Sequence, residues 1–368
     1  MSTNQLSLQD VLTPAEYEAI DRFCGEHGGI EALPDLAAFL NERFALVLVL
    51  DPDIIAGFAR DSSNLPGQAQ ALCRPTSERE CAIILRACHA GAIPITISAG
   101  RSNLTGSATP TGGVVLSTAH MLTPAVAVDA DAMTVRSPVG LILEDLRNLV
   151  LAQSDKRLLF PVNPTSRADA AVGGVVSCNA SGFTPGEAGS ARNWVASLDF
   201  LLPNGLKLTA DRGQYRSTNG HFVLVHGGEE TILPVPRYPQ PAIKNAGGPW
   251  SAPDGAMDFI DLVVGSEGIF GLVTACTLKL IPRPADYLDL FFSLPDEKGA
   301  IQFYHYIRRR LGGDLGRLTA LEYFGVNCRK HMDHEERLFH GADQVAIYIQ
   351  VPLPDGGTPV LGLLDRRD

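Results

Sequence analysis

Between Cys81 and Val128 the chain carries no Asp or Glu, and its only full charges there are Arg86 and Arg101. The whole protein has a formal net charge of −11, so a long acid-free run suits a surface that receives an anion. At its centre lies Ile97-Ser98-Ala99-Gly100-Arg101-Ser102-Asn103-Leu104-Thr105-Gly106-Ser107-Ala108. It follows the apolar run Ala92-Ile93-Pro94-Ile95-Thr96-Ile97, which reads as a buried strand. Small and hydroxylated residues in a turn past a strand can aim several N–H donors at one anion. The stretch is expected to cradle a diphosphate, against the plainer alternative of a Gly/Ser loop with no ligand.

Two familiar phosphate loops do not fit. A P-loop has four residues between its glycines and then Lys-Ser/Thr, whereas five residues separate Gly100 from Gly106 and no Lys follows. The G-x-G-x-x-G pattern needs a helix behind its last glycine, but Thr109-Pro110-Thr111-Gly112-Gly113 is a turn and Val114-Val115-Leu116 a strand.

With 368 residues, two domains are expected. Thirty basic against 41 acidic residues argue against a nucleic-acid surface or an anionic membrane. No apolar run approaches the ~20 residues of a membrane span, and Met1-Ser2-Thr3-Asn4-Gln5 has no basic n-region. The cytosol, or attachment through a partner, is the expected location. Seven scattered cysteines without a C-x-x-C pair suggest neither a zinc ribbon nor a disulfide framework; Cys81 and Cys88, on one helix face, are expected to pack.

Taken in order, Thr13-Pro14-Ala15-Glu16 is a capping box that starts a helix ending near Glu26, and Leu33 to Phe44 is a second amphipathic helix. Residues 45–70 are ambiguous. Ser77 caps a helix closed by Gly91. Short strands Ala125–Asp129 and Met133–Ser137 precede a helix from Leu141 to Ala152. A second uncharged stretch, Ala171-Val172-Gly173-Gly174-Val175-Val176-Ser177-Cys178-Asn179-Ala180-Ser181-Gly182, follows the turn Pro164-Thr165-Ser166. Asn204-Gly205 reads as a two-residue hairpin turn. Residues 211–255 read as an excursion with little regular structure. Beyond Pro282 and Pro284 the order is strand (Tyr287–Leu294), helix (Asp296–Leu311), strand (Leu318–Phe324), a basic-and-acidic helical piece to His340 and strand (Gln344–Val351), part of an α+β sheet. The end at Asp368 suggests a truncated chain or a variant lacking its last third.

Four blocks in order over roughly residues 70 to 285 carry a family resemblance. They are Arg74-Pro75-Thr76-Ser77, the loop ending Leu104-Thr105-Gly106-Ser107-Ala108, Gly173-Gly174 with Asn179-Ala180-Ser181-Gly182, and Val264-Gly265-Ser266-Glu267-Gly268-Ile269-Phe270-Gly271. Together they resemble the flavin-binding domain of the vanillyl-alcohol oxidase / p-cresol methylhydroxylase (PCMH) family, nearest to its glycolate oxidase / D-lactate dehydrogenase branch. The resemblance implies an α+β protein with FAD between two α+β subdomains and the isoalloxazine facing a cap domain. On this chain that gives an N-terminal helical segment (1–70), an FAD-binding domain (71–285, with the excursion 211–255) and a partial cap domain (286–368).

By the same resemblance, the pyrophosphate loop is Ala99, Gly100, Arg101, Ser102 and Asn103 with Gly106 and Ser107. Pro164, Thr165 and Ser166, with Gly173, Gly174, Ser177, Asn179 and Gly182, line the flavin. Glu267, Gly268 and the strand with Val273 lie on the ribityl or adenine side. Backbone N–H bonds to a charged acceptor contribute roughly 1.5–3 kcal/mol each, so four or five would hold a diphosphate without a strong positive field. The family's Gly-Ala-Gly is replaced by Ala99-Gly100-Arg101, and Arg101 either pairs with a phosphate or points to solvent. The loop has no His for a covalent tether, so non-covalent FAD is expected.

The implied chemistry is oxidation of a small 2-hydroxy acid of the D-lactate or glycolate type, with hydride passing to flavin N5 and electrons going on to a partner subunit rather than oxygen. The family's His-rich and Glu-His motifs lie beyond Asp368, so no catalytic residue is assigned. His331-Met332-Asp333-His334-Glu335-Glu336 could hold a metal but suits a solvated helix face. Arg308-Arg309-Arg310 suits a helix C-terminus, and Glu322 sits on a cap strand that faces the flavin if the resemblance holds. The alternatives are a flavin transferase like alkylglycerone-phosphate synthase and a flavin-binding protein without turnover.

Overall fold

The structure, a computed structural model, describes residues 4–235, 237–239 and 248–353. Local chemistry fixes the helix starts. Glu16 Oε2 accepts from Thr13 N at 2.8 Å while Thr13 Oγ1 accepts from Glu16 N at 3.4 Å, opening the helix Pro14–Glu26. Such a cap is worth about 1 kcal/mol. Ser77 Oγ accepts from Glu80 N to start Glu78–Ala90, and Asp296 Oδ1 accepts from Gly299 N to start Glu297–Arg310.

Among the described residues the strands form five sheets, three of which border the site. The first runs Leu48–Val49, Ala71–Cys73, Val114–Ser117, Ile95–Ser98, its last three strands parallel. The inner strands are buried throughout, as a parallel sheet covered on both faces requires. Ile95–Ser98 is only half-buried, not fully buried as expected, because it is the edge strand. It also starts late, since Ala92 turns at φ 52°.

The second sheet is antiparallel: Lys207–Asp211, Val195–Leu201, Leu272–Lys279, Thr134–Pro138, Ala127–Asp129. Its first hairpin differs from the expected two-residue turn. Leu202 N donates to Leu206 O at 2.8 Å and Gly205 N to Leu202 O at 2.9 Å, so the connection is Pro203-Asn204-Gly205. Pro203 has no N–H for a ladder, and Gly205 takes the left-handed position (φ 80°) that a three-residue loop needs.

The segment expected to be irregular is in part regular. His221–His226 and Glu229–Pro234 form a hairpin around Gly227-Gly228, and Gln5–Ser7 joins it as a parallel strand. Only pairing with a strand over two hundred residues away completes this unit, so local composition concealed it. Residues 236 and 240–247 of the same segment lie outside the described residues.

The helices Pro14–Glu26 and Leu33–Phe44 bury Ile20, Cys24, Leu36 and Leu40 in the core shared by the two large sheets. A separate core forms where Glu297–Arg310 covers the sheet Asp286–Leu294, Val345–Leu353, Ala320–Phe324, with Ala300, Ile307 and Leu311 on Ile347, Ile349 and Val351. Strand alternation gives that sheet one apolar face for the helix and turns the other toward Phe339, which packs on Phe291, and toward the cleft at Glu322.

Candidate functional site

A cleft of about 870 Å³ lies where the end of Ile95–Ser98, the short helix Val172–Ser177, the start of Leu272–Lys279 and the strand Ala320–Phe324 converge. Cofactor sites span roughly 300–1,000 Å³. The two acid-poor stretches, some seventy residues apart in sequence, form its adjoining walls. A Cβ on Gly100 would lie 2.1 Å from Asp169 O and 2.9 Å from Ala171 N. One on Gly182 would lie 2.3 Å from Asn163 O. These glycines let backbone meet backbone behind the cleft, a packing role distinct from the ligand approach read from sequence.

The two walls differ in what their amides do. Around Val172–Ser177 the backbone bonds internally: Gly173 N donates to Val139 O (2.9 Å), Val175 N to Ala171 O (3.0 Å) and Cys178 N to Gly174 O (2.9 Å). In the first loop, among the described residues, no group accepts from the amides of Gly100 through Ser107. Buried or half-buried amides need a partner. A row of free donors on an acid-poor wall fits a multiply charged anion such as a diphosphate.

Side chains from elsewhere hold that loop open. Asp61, buried, accepts from Asn103 Nδ2 at 2.7 Å, Ala108 N at 3.1 Å and Ser63 N at 2.9 Å. Burial pushes its carboxyl up, but the bonds from Ser63, Asn103 and Ala108 outweigh that and hold it below the ordinary range. Asn103 Nδ2 also donates to Ser107 Oγ at 3.0 Å. Arg101 neither meets the cleft centre as a bare cation nor points to solvent: its guanidinium donates to Gly57 O and lies 4.8 Å over the Phe58 ring. Its backbone is left-handed (φ 57°), and Ser62 N donates to its carbonyl at 3.0 Å.

Glu267 spans both walls. Its N donates to Ser177 O at 2.9 Å, and its Oε1 accepts from Thr105 Oγ1 at 2.8 Å. Half-buried Arg192 sets the segment before it, donating to Asp261 O and Val264 O, each at 2.5 Å, while Arg212 adds a 2.7 Å bond to Asp261 Oδ1. Cys178 is also on the wall, and burial pushes its thiol up to about 11. On the opposite side Glu322 lines the cleft from the C-terminal sheet, with burial raising its carboxyl above the ordinary value.

Of the residues the sequence singled out, Ala99, Gly100, Arg101, Ser102, Asn103, Ser107, Pro164, Thr165, Ser166, Gly173, Gly174, Ser177, Gly182, Glu267, Gly268 and Val273 line the cleft. Gly106 and Asn179 are not on its wall. Both have positive φ, and Asn179 Oδ1 accepts from Arg192 N at 2.9 Å, so they shape turns. Sequence reading missed Asp61 and Arg192. Asp61-Ser62-Ser63 has the Asx-turn pattern that could have flagged the first.

Residues 69–211 match the family model described as an FAD binding domain. The chain is 26% identical over 299 residues to a D-2-hydroxyglutarate dehydrogenase of Xanthomonas citri pv. viticola, covering 81% of this chain and 53% of the relative. It is 28% identical over 259 residues to a D-lactate dehydrogenase of Anaerostipes hadrus, covering 70% and 46%. The chain thus spans about half the length of these relatives. A solved alkyldihydroxyacetonephosphate synthase shares its fold with a TM-score of 0.59 at 16% identity, over 88% of this chain and 56% of that one. Matched in its family model, in its relatives and in its fold, the segment 69–211 is an FAD-binding domain of the PCMH type.

Proposed function

We propose that the cleft holds FAD and that the chain is the flavin-bearing part of an oxidoreductase acting on a small 2-hydroxy acid. The observation that carries this reading is the run of amides from Gly100 to Ser107 that has no partner among the described residues, on an acid-poor wall inside a domain of known FAD-binding type. The diphosphate lies on those amides with Ala99, Ser102, Asn103 and Ser107 around it. Pro164, Thr165, Ser166, Gly173, Gly174, Ser177 and Gly182 flank the ring, and Glu267, Gly268 and Val273 the ribityl or adenine side. The names of the relatives supply the substrate class. FAD, when bound, accepts two electrons and a hydrogen from the substrate carbon.

The chain divides on this reading into residues 1–70, the FAD-binding unit 71–285 and the cap unit 286–368. Attachment is non-covalent: the phosphate loop has no His, and a thiol raised to about 11 makes Cys178 a poor nucleophile near neutral pH. Electrons leave to a separate acceptor protein. The test is to titrate the purified chain with FAD, then add D-lactate, glycolate or D-2-hydroxyglutarate without oxygen. Saturable binding followed by bleaching of the flavin is expected. A chain that takes up no FAD would overturn the cofactor site. Bleaching only by an acylated glycerone phosphate would replace the oxidoreductase with a transferase.

A further inference from the structure

We propose that Glu322 receives the substrate's α-hydroxyl in this cleft and takes its proton, an inference that rests on the 2-hydroxy-acid reading above. On the strand Ala320–Phe324, Leu321 packs into the C-terminal core. Alternation therefore turns Glu322 to the opposite face, where it lines the cleft. Two bonds fix that strand to the flavin side: Leu321 N donates to Phe183 O at 3.1 Å, and Thr184 Oγ1 donates to Thr319 O at 3.1 Å. Glu322 is thus placed by both units at once.

Three acidic residues line the cleft. Asp169 is exposed, and Glu267 accepts from Thr105. Glu322 is half-buried and, among the described residues, no group donates to it. Its neighbours on that sheet face are committed elsewhere. Tyr348, opposite it in register, donates its hydroxyl to Asp289 Oδ1 at 2.6 Å, and Gln350 Nε2 donates to the same oxygen at 2.9 Å. With no protein donor on it, that carboxylate is open to a donor from a ligand in the cleft. An ionised 2-hydroxy acid has a single donor, its hydroxyl.

The step balances. The Cα–H bond breaks and its hydrogen leaves with both electrons for the flavin, the O–H proton passes to the Glu322 carboxylate, and C–O becomes C=O. The substrate is oxidised to a 2-oxo acid, and the flavin is reduced by two electrons.

Two variants test this in the FAD-loaded chain, with FAD affinity by fluorescence as the folding control. Glu322→Gln keeps an acceptor but cannot take the proton. It is expected to hold D-lactate nearly as well as the parent while bleaching slows about 100-fold. Glu322→Leu removes the acceptor. With the flavin pre-reduced by dithionite, it is expected to bind D-lactate about tenfold more weakly and propionate, which lacks the hydroxyl, equally well. A Gln variant that bleaches at the parental rate, or a Leu variant that weakens propionate as much as D-lactate, would overturn the assignment and leave the 2-hydroxy-acid reading standing. A parent bleached by no hydroxy acid would sink the reading and the assignment together.

Discussion

Thr105 and Glu267, 162 residues apart, close a hydrogen bond of 2.8 Å across the mouth of the cleft. It ties the loop of free amides to the segment that Arg192 and Asp261 hold in place. The loop's donors are pre-organised by contacts outside it, which lowers the cost of ordering them on binding.

That bond makes a prediction of opposite outcomes. Thr105→Val removes the donor and frees the loop, at about 1 kcal/mol or roughly fivefold in FAD affinity. Glu267→Gln keeps an acceptor for Thr105 and removes a negative charge near the diphosphate. Its FAD affinity is expected to equal or exceed that of the parent. Fluorescence titration of both variants is the measurement, and equal weakening by both would contradict the bridging role.

Asp61 should couple loop integrity to acid. Its carboxyl is held below the ordinary value by Ser63, Asn103 and Ala108. The group therefore contributes stability that is present above its unfolded pKa, about 4, and is lost as pH falls through the lower folded value. Asp61→Ala leaves those donors without an acceptor and is expected to destabilise by about 2–3 kcal/mol at pH 7. Urea midpoints between pH 2.5 and 7 should converge for parent and variant at the acid end. Parallel curves would show that Asp61 is not the titrating group.

Two glycines on adjoining walls of the cleft should respond differently to a methyl group. Gly100→Ala drives a Cβ to 2.1 Å from a backbone carbonyl, and only displacement of one wall relieves it. A loss above about 3 kcal/mol, with FAD binding abolished, is expected. Gly174→Ala meets only Ala99 Cβ at 3.4 Å and sits in a short helix, where Ala is favoured over Gly by roughly 1 kcal/mol. Its stability should stay within about 1 kcal/mol of the parent, as read by denaturant unfolding.

Cys178 offers a check on attachment. With its thiol raised to about 11, little thiolate exists near pH 7.5, and alkylation there should be slow, accelerating only as pH approaches 11. Bound FAD should slow it further. Acid precipitation of the yellow protein should leave all the flavin in the supernatant; colour retained in the pellet would establish a covalent link.

What the sequence determined alone is what lies within a few residues of its cause. Thr13 and Glu16, Ser77 and Glu80, and Asp296 reach their amides across one turn, so the helices they start were readable in advance. Composition likewise marked both acid-poor stretches, because the absence of charge is a property of the chain before it folds. Tertiary structure decided everything that depends on distant partners. It paired Gln5–Ser7 with His221–His226 and brought Asp61 and Glu267 to the loop of Gly100. Hydrogen bonds and close contacts fall off within a few ångströms, whereas these residues stand forty to two hundred positions apart; only the packed core sets that separation in space.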